Sequence, residues 1–305
     1  MALKSTRLPF APEHRNIGRR ARRNPDHLRR LIAEARVELV PMKSLDRAVS
    51  ELRPGSSIAM TCSPARSIEA TLDDTERLLM AGHHVIPHMS ARMVRSPEHL
   101  AELRQRLIAL GVREIFVVGG DADPPGCYFD AIEFLDAFLA LDDADGPDHR
   151  QIDHVGYTAY PDTHPFITNA QLHDALHRKQ TMILSTGRTA HVSTQMCFSP
   201  EQIRTWIRTE RAAGLTVPVH LGVPGVIDRT KLMSTGMRLG VGTSLRYLSK
   251  NRRAIGKLMT QRAFTPNTLL RPLDRDLVAL GVTGLHLFTF NQVAATEAWR
   301  SRSIA

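Results

Sequence analysis

Glu38 stands inside the run "RVELV", residues 36–40. A carboxylate within an apolar strand is costly unless it is paired or used, because desolvation disfavours its charge and raises its pKa. Such a group is a candidate proton donor. Asp121 ends a second apolar run, in "FVVGGDADPPG" (116–126). Runs that break into Gly-Asp are where α/β proteins place ligand-handling groups. Gln195, in "AHVSTQMCF" (190–198), adds an amide. One acid, one fixed carboxylate and one amide suit the polar edge of a pterin or a purine. Thr61, His88, Tyr160 and Asn291 close other short apolar runs, and His164 follows in "PDTHP". Each residue also has a plainer reading. His88 fits a hydrogen-bonded core histidine, Gln195 a group that satisfies backbone, and Asp121 a turn residue or helix cap. "GVGTS" (240–244) is either a phosphate-binding helix start or a loop. The chain has no P-loop, no GxGxxG after its first strand and no cysteine cluster of metal-binding spacing.

What must position these residues is an alternation of short β-type runs and longer helical ones. Strands are expected at 36–40, 57–62, 84–90, 114–120, 154–160, 190–198, 217–223 and 284–290. Helices fall between them at 44–52, 67–82, 96–111, 127–141, 169–180 and 199–214, then in a long, largely helical stretch to about 280, with a short basic helix at 292–300. Ser44 reads as the cap of the helix at 44–52, and Ser96-Pro97 as a cap followed by the first helical position. Eight strand–helix repeats predict a parallel sheet that closes as a (β/α)8 barrel, with an open doubly wound sheet as the alternative. In a barrel, ligands bind at the C-terminal ends of the strands. That is where Thr61, His88, Asp121, Tyr160, Gln195 and Asn291 fall.

The 305 residues fit one such barrel at 36–305 behind a basic N-terminal arm at 1–35. The formal net charge is +9, and residues 1–30 hold nine cationic side chains against Glu13 and Asp26, which is +7 of it. The body is therefore close to neutral, and nucleic acid is not the expected partner. No apolar run approaches the ~18–20 residues of a membrane span, so no membrane partner is expected. Three scattered cysteines, Cys62, Cys127 and Cys197, suit a reducing compartment, and the expected location is the cytoplasm.

In this order the motifs resemble the methylenetetrahydrofolate reductase family. "RVELVPMKS" is similar to its first strand, Phe-Glu-Phe-Phe-Pro-Pro and a basic residue, which lays Glu38 on the catalytic glutamate. "AMTCSP" and "VIPHMSAR" match its Val-Thr-Tyr and Pro-His-Leu-Thr segments, and "VVGGDADPPG" resembles Leu-Arg-Gly-Asp-x-Pro, which puts Asp121 on the active-site aspartate. "VGYTAYPDTHP", "LHRK", "VSTQMCF" and "GVTGLHLFTFN" match further segments, and Gln195 falls on a folate-contacting glutamine. The resemblance spans about residues 36–292.

It implies reduction of 5,10-methylenetetrahydrofolate to 5-methyltetrahydrofolate, a step of one-carbon metabolism toward methionine biosynthesis, with NADH or NADPH as hydride donor. Glu38 and Asp121 are then catalytic. Gln195, Asp121, Arg229 and Asn291 meet the folate, and Thr61, His88, Tyr160, His164 and Lys179 meet the cofactor. Arg92 is a further candidate for carboxylates or phosphates. The family normally carries flavin adenine dinucleotide, but positions that hold it are Gly119, Leu172 and Ala175 here, and the last strand shows Phe288 in place of a tyrosine. Arg229 stands where a stacking phenylalanine is usual, and Gln292 replaces the arginine that meets the folate tail. This pattern is similar to the short, flavin-independent actinobacterial branch, so FAD is expected to be absent. A conventional FAD-dependent reductase and a non-catalytic folate-binding barrel are the alternatives.

Overall fold

The computed structural model describes residues 24–144, 146, 151–228, 230–232 and 263–305. Arg229, "GVGTS" and residues 1–23 of the basic arm lie outside the described residues. Eight parallel strands close a barrel: β1 (Arg36–Leu39), β2 (Ser57–Met60), β3 (His84–Ser90), β4 (Glu114–Val118), β5 (His154–Ala159), β6 (Thr189–Thr194), β7 (Val219–Pro224) and β10 (Val282–Phe288). β1 and β10 seal it, with Glu38 opposite Phe288. Helices α2 (Leu45–Ser50), α3 (Ile68–Met80), α4 (Pro97–Ala109), α5 (Ala131–Asp142), α6 (Asn169–Ser185), α7 (Pro200–Ala212), α8 (Asn267–Leu273) and α9 (Val293–Ile304) surround it. Outward-facing strand residues such as Val117, Val155, Val192 and Leu221 pack against the helices in one continuous core.

The helices that follow strands start on the mouth side, and local sequence fixes each start. Ser67, Ser96, Ser199 and Thr168 accept from backbone N–H groups two or three residues into α3, α4, α7 and α6, and Asp130 does the same twice for α5. Ser44 makes no cap bond; its hydroxyl instead accepts from the Asn291 amide at 3.2 Å.

One expectation changes. The stretch after β7 is not simply helical: β8 (Ile227–Asp228) pairs antiparallel with β9 (Ala263–Phe264), and their apolar side chains join Met196, Phe198 and Phe288 in a small cluster at the mouth. Within the span 1–35 given to the basic arm, α1 (Pro25–Ala33) packs on the barrel. It buries Leu31 and Ile32, and Arg300 donates to the carbonyls of Ile32 and Ala33. Among the described residues no helix is long and apolar enough to cross a membrane.

Candidate active site at the barrel mouth

The inward face of the strands is polar, which the apolar look of the runs conceals. Strands alternate, and the inward positions carry Arg36, Glu38, His88, Glu114, His191, His220 and His286. Arg36 pairs with Glu114 at 2.8 Å and donates to His191 Nε2 at 3.3 Å. His154 and His191 share a 2.6 Å hydrogen bond, and His220 stacks on His191 at 4.0 Å. Burial pushes His191 well below the ordinary imidazole range and His220 down to about 3, and the Arg36 charge adds to both shifts. This network is a fixed, largely neutral floor.

Above it sits Glu38, buried at 8% exposure, its Oε2 3.0 Å from His286 Nε2. The carboxylate is therefore paired, and its partner comes from the neighbouring strand. His88 lies beside this pair, 6.3 Å from His286 between ring centres and 4.7 Å from Phe116. Burial, then the nearby His286 and Arg36, hold His88 neutral. Its Nε2 is buried without a hydrogen-bond partner, as is the Thr61 hydroxyl at the end of β2. Each is a buried polar atom that a bound water or a ligand group would satisfy.

Asp121 is exposed at the rim, in a loop tied down at both ends. Arg92 N–H donates to the Gly119 carbonyl, Gly126 N–H to Arg92 and Cys127 N–H to Val94. Gly120 adopts φ +87°, and a Cβ there would lie 1.9 Å from the Ser90 hydroxyl, so only glycine lets this loop seat Asp121 against β3. Tyr160 and His164 meet edge to face at 5.3 Å beside it. Burial raises the Tyr160 phenol and Asp121 adds to that; burial lowers His164 and Asp121 opposes it. Gln195 reaches the same mouth. Its Oε1 accepts from Met196 N–H at 2.8 Å, so its NH2 group is the end left for a ligand. Next to it lies an apolar wall of Met196, Phe198, Phe264 and Phe288. Of the seven exposed large hydrophobics among the described residues, Met42, Phe129, Phe166 and Ile167 sit on mouth-side loops.

Three other expected contacts are placed differently. Asn291 spends its amide on Val40, accepting from its N–H at 2.9 Å and donating to its carbonyl at 2.8 Å. It thereby clasps β10 to the exit of β1 and holds Phe290 and itself at φ +49° and +61°, a left-handed pair at the mouth. Arg92 donates from Nε to the Ala122 carbonyl at 2.8 Å and lies over the Phe129 ring, bracing the Asp121 loop.

Lys179 is buried behind β5, with Nζ 3.4 Å from the Thr158 carbonyl and 5.1 Å from the Tyr157 ring centre. Burial lowers its pKa from 10.5 to about 8, partly offset by Asp130. The unfolded chain therefore binds more protons than the folded one between about pH 8 and 10.5, and stability from this group rises with pH across that window. A shift of this size is worth about 3 kcal/mol at ~1.36 kcal/mol per unit. Lys179→Met is expected to stabilise the protein at pH 7 and to lose most of that advantage by pH 10 in urea titrations. An equal advantage at both values would contradict the burial of the charge.

Gly119 has open space around it, Leu172 lines a cavity between α6 and α7, and Ala175 is apolar.

No family model matches the chain. The fold is similar to that of an uncharacterised protein from Clostridium thermocellum that binds two copies of 5-methyl-5,6,7,8-tetrahydrofolic acid. The identity is 12%, over 90% of this chain and 99% of that one, with a TM-score of 0.57. What the two share is the barrel. A putative phosphonomutase from Burkholderia cenocepacia aligns at 15% identity over 77% of this chain and 97% of its own, with a TM-score of 0.44.

The residues that reading along the sequence missed are His286, the partner of Glu38, and the histidines of the floor. Their signal is a histidine in each of "HVGYTAY", "AHVSTQ", "VPVHLGV" and "GLHLFTF".

Proposed function

We propose that this protein reduces 5,10-methylenetetrahydrofolate to 5-methyltetrahydrofolate, with a hydride passed directly from NADH or NADPH. The observation that carries the reading is the buried Glu38–His286 pair beneath a mouth that offers the fixed Asp121 carboxylate and the Gln195 amide. Support comes also from the barrel neighbour that binds 5-methyltetrahydrofolate, the product of this reaction.

In this mechanism the five-membered ring must open before hydride arrives. Glu38 gives a proton to N10, the C–N10 bond breaks, and a cationic N5 iminium forms. The Glu38–His286 hydrogen bond holds the donor in place for that transfer. Asp121, fixed before the reaction by its tethered loop, stabilises the cation and binds the amino-pyrimidinone edge. The Gln195 NH2 group orients the pterin, and the apolar wall takes its face. The hydride leaves the nicotinamide with its electron pair and closes the methyl group, giving the oxidised dinucleotide. Thr61 and His88, with their orphaned polar atoms, together with Tyr160 and His164, would meet the two ligands.

Direct transfer requires both ligands in the mouth together, about 3–3.5 Å apart at the reacting atoms. Initial-rate data are expected to give intersecting double-reciprocal lines, from a protein with no absorption near 450 nm. Parallel lines from a yellow protein would establish a flavin intermediate and overturn direct transfer. No turnover of methylenetetrahydrofolate with either dinucleotide, alongside tight folate binding, would leave the non-catalytic barrel.

A further inference from the structure

Outside the mouth, α6 carries two histidines four residues apart, in "HDALH" (173–177). Positions i and i+4 lie on one helical face. Both rings meet Glu210 of α7. His173 Nδ1 is 2.8 Å and His177 Nε2 2.9 Å from the same carboxylate oxygen, Oε2. The rings themselves are 4.6 Å apart, and all three donor atoms lie within 4.8 Å of one another.

Glu210 is the unusual member. It is 5% exposed, and among the described residues no lysine or arginine pairs with it. A buried carboxylate needs a cation or several hydrogen bonds. Two imidazoles and one carboxylate form a donor set that zinc-class ions accept, with an open fourth position in sites of this type.

That fourth side is available. The cluster borders a cavity of about 240 Å³ between α6 and α7, also lined by Tyr160, Asn169, Leu172 and Trp206. A tetrahedral ion with bonds of ~2.0–2.1 Å needs donors about 3.3 Å apart, so the carboxylate and rings must separate by about half an ångström. His173, half exposed on a helix surface, has room to do so.

Electrostatics separates this cluster from two others of similar composition. In the cluster of Glu114, His154 and His191, Glu114 already pairs with the Arg36 guanidinium, whose charge opposes a second cation. Glu38, His88 and His286 belong to the mouth site, where Arg36 also acts on His88. Among the described residues no guanidinium or ammonium pairs with Glu210.

We propose that His173, His177 and Glu210 bind a divalent transition-metal ion of the zinc class, tying α6 to α7 and presenting an open coordination position to the cavity. The occupant of that position is a small oxygen ligand, water or a carboxylate.

The test uses tag-free, chelator-treated full-length protein, titrated with zinc by calorimetry and with cobalt by visible spectroscopy. One equivalent should bind, and cobalt should give the intense bands of a four-coordinate site. His173→Ala/His177→Ala should weaken binding by roughly 100-fold or more. His173→Ala alone, an exposed change, should weaken it at an unaltered melting temperature. No stoichiometric binding would refute the site. So would binding that survives the double variant, or that disappears instead in His88→Ala. Reductase activity is not part of the readout, so this result stands apart from the reaction proposed for the mouth.

Discussion

Glu38→Gln is expected to lower turnover of methylenetetrahydrofolate by about 10²–10⁴-fold, the range removed with a general acid, while binding of 5-methyltetrahydrofolate changes by less than ~10-fold. The amide oxygen of a glutamine still accepts from His286 Nε2, so the 3.0 Å pair and the packing around Phe288 persist. What is lost is the transferable proton. Ring opening then has to take its proton from solvent, within a site that is 92% covered at this side chain. Single-turnover rates and folate titration separate the two effects. Near-normal turnover would remove Glu38 from the acid role. A parallel loss of binding and turnover would make it a contact and not a donor. Ala is the less informative substitution, because it leaves His286 buried against an empty space.

The barrel was legible in the chain because strand and helix periodicities differ, and each apolar run ends at a turn or cap residue. Ser67, Ser96 and Ser199 were visible as helix starts for that reason. Glu38 and Asp121 were legible as polar residues in apolar runs. What stayed hidden depends on register between strands far apart in sequence. His286 and Glu38 are 248 residues apart, and only barrel closure brings them together. Asn291 read as a ligand group because nothing local shows that Val40 and Ser44 consume its amide. The inward histidines each look like single exceptions among apolar neighbours, and the floor they build exists only once the sheet is rolled. The paired strands β8 and β9 were missed because each is two residues long, too short for any alternation to register. Lys179 matched a family motif, yet its helix carries it behind the sheet, a matter of helix phase.

The acidic stretch "LDDADGPDH" reads as a surface loop, yet its first aspartate anchors the barrel wall. Asp142 is wholly buried at the end of α5. It accepts from Arg104 of α4 and from Arg188 before β6, each at 2.8 Å, and from the Ile152 N–H at 3.3 Å. Both arginines are at most 5% exposed. Asp142→Ala would leave Arg104 without its carboxylate and Arg188 with only Asp143. Breaking a buried pair by removing one partner costs about 3–5 kcal/mol, because the remaining charge stays desolvated. For a chain of this size each kcal/mol is worth ~2–4 °C, so the melting temperature is expected to fall by roughly 6–20 °C. Asp142→Asn keeps an oxygen for one arginine and should fall between that variant and the wild type. The control is Arg106→Ala, which removes pairs to the exposed Asp73 and Glu76 and should cost less than ~1 kcal/mol. If denaturant unfolding gives the two alanine variants similar losses, the Asp142 cluster is solvated like a surface pair, and the wall of the barrel is held by its apolar packing alone.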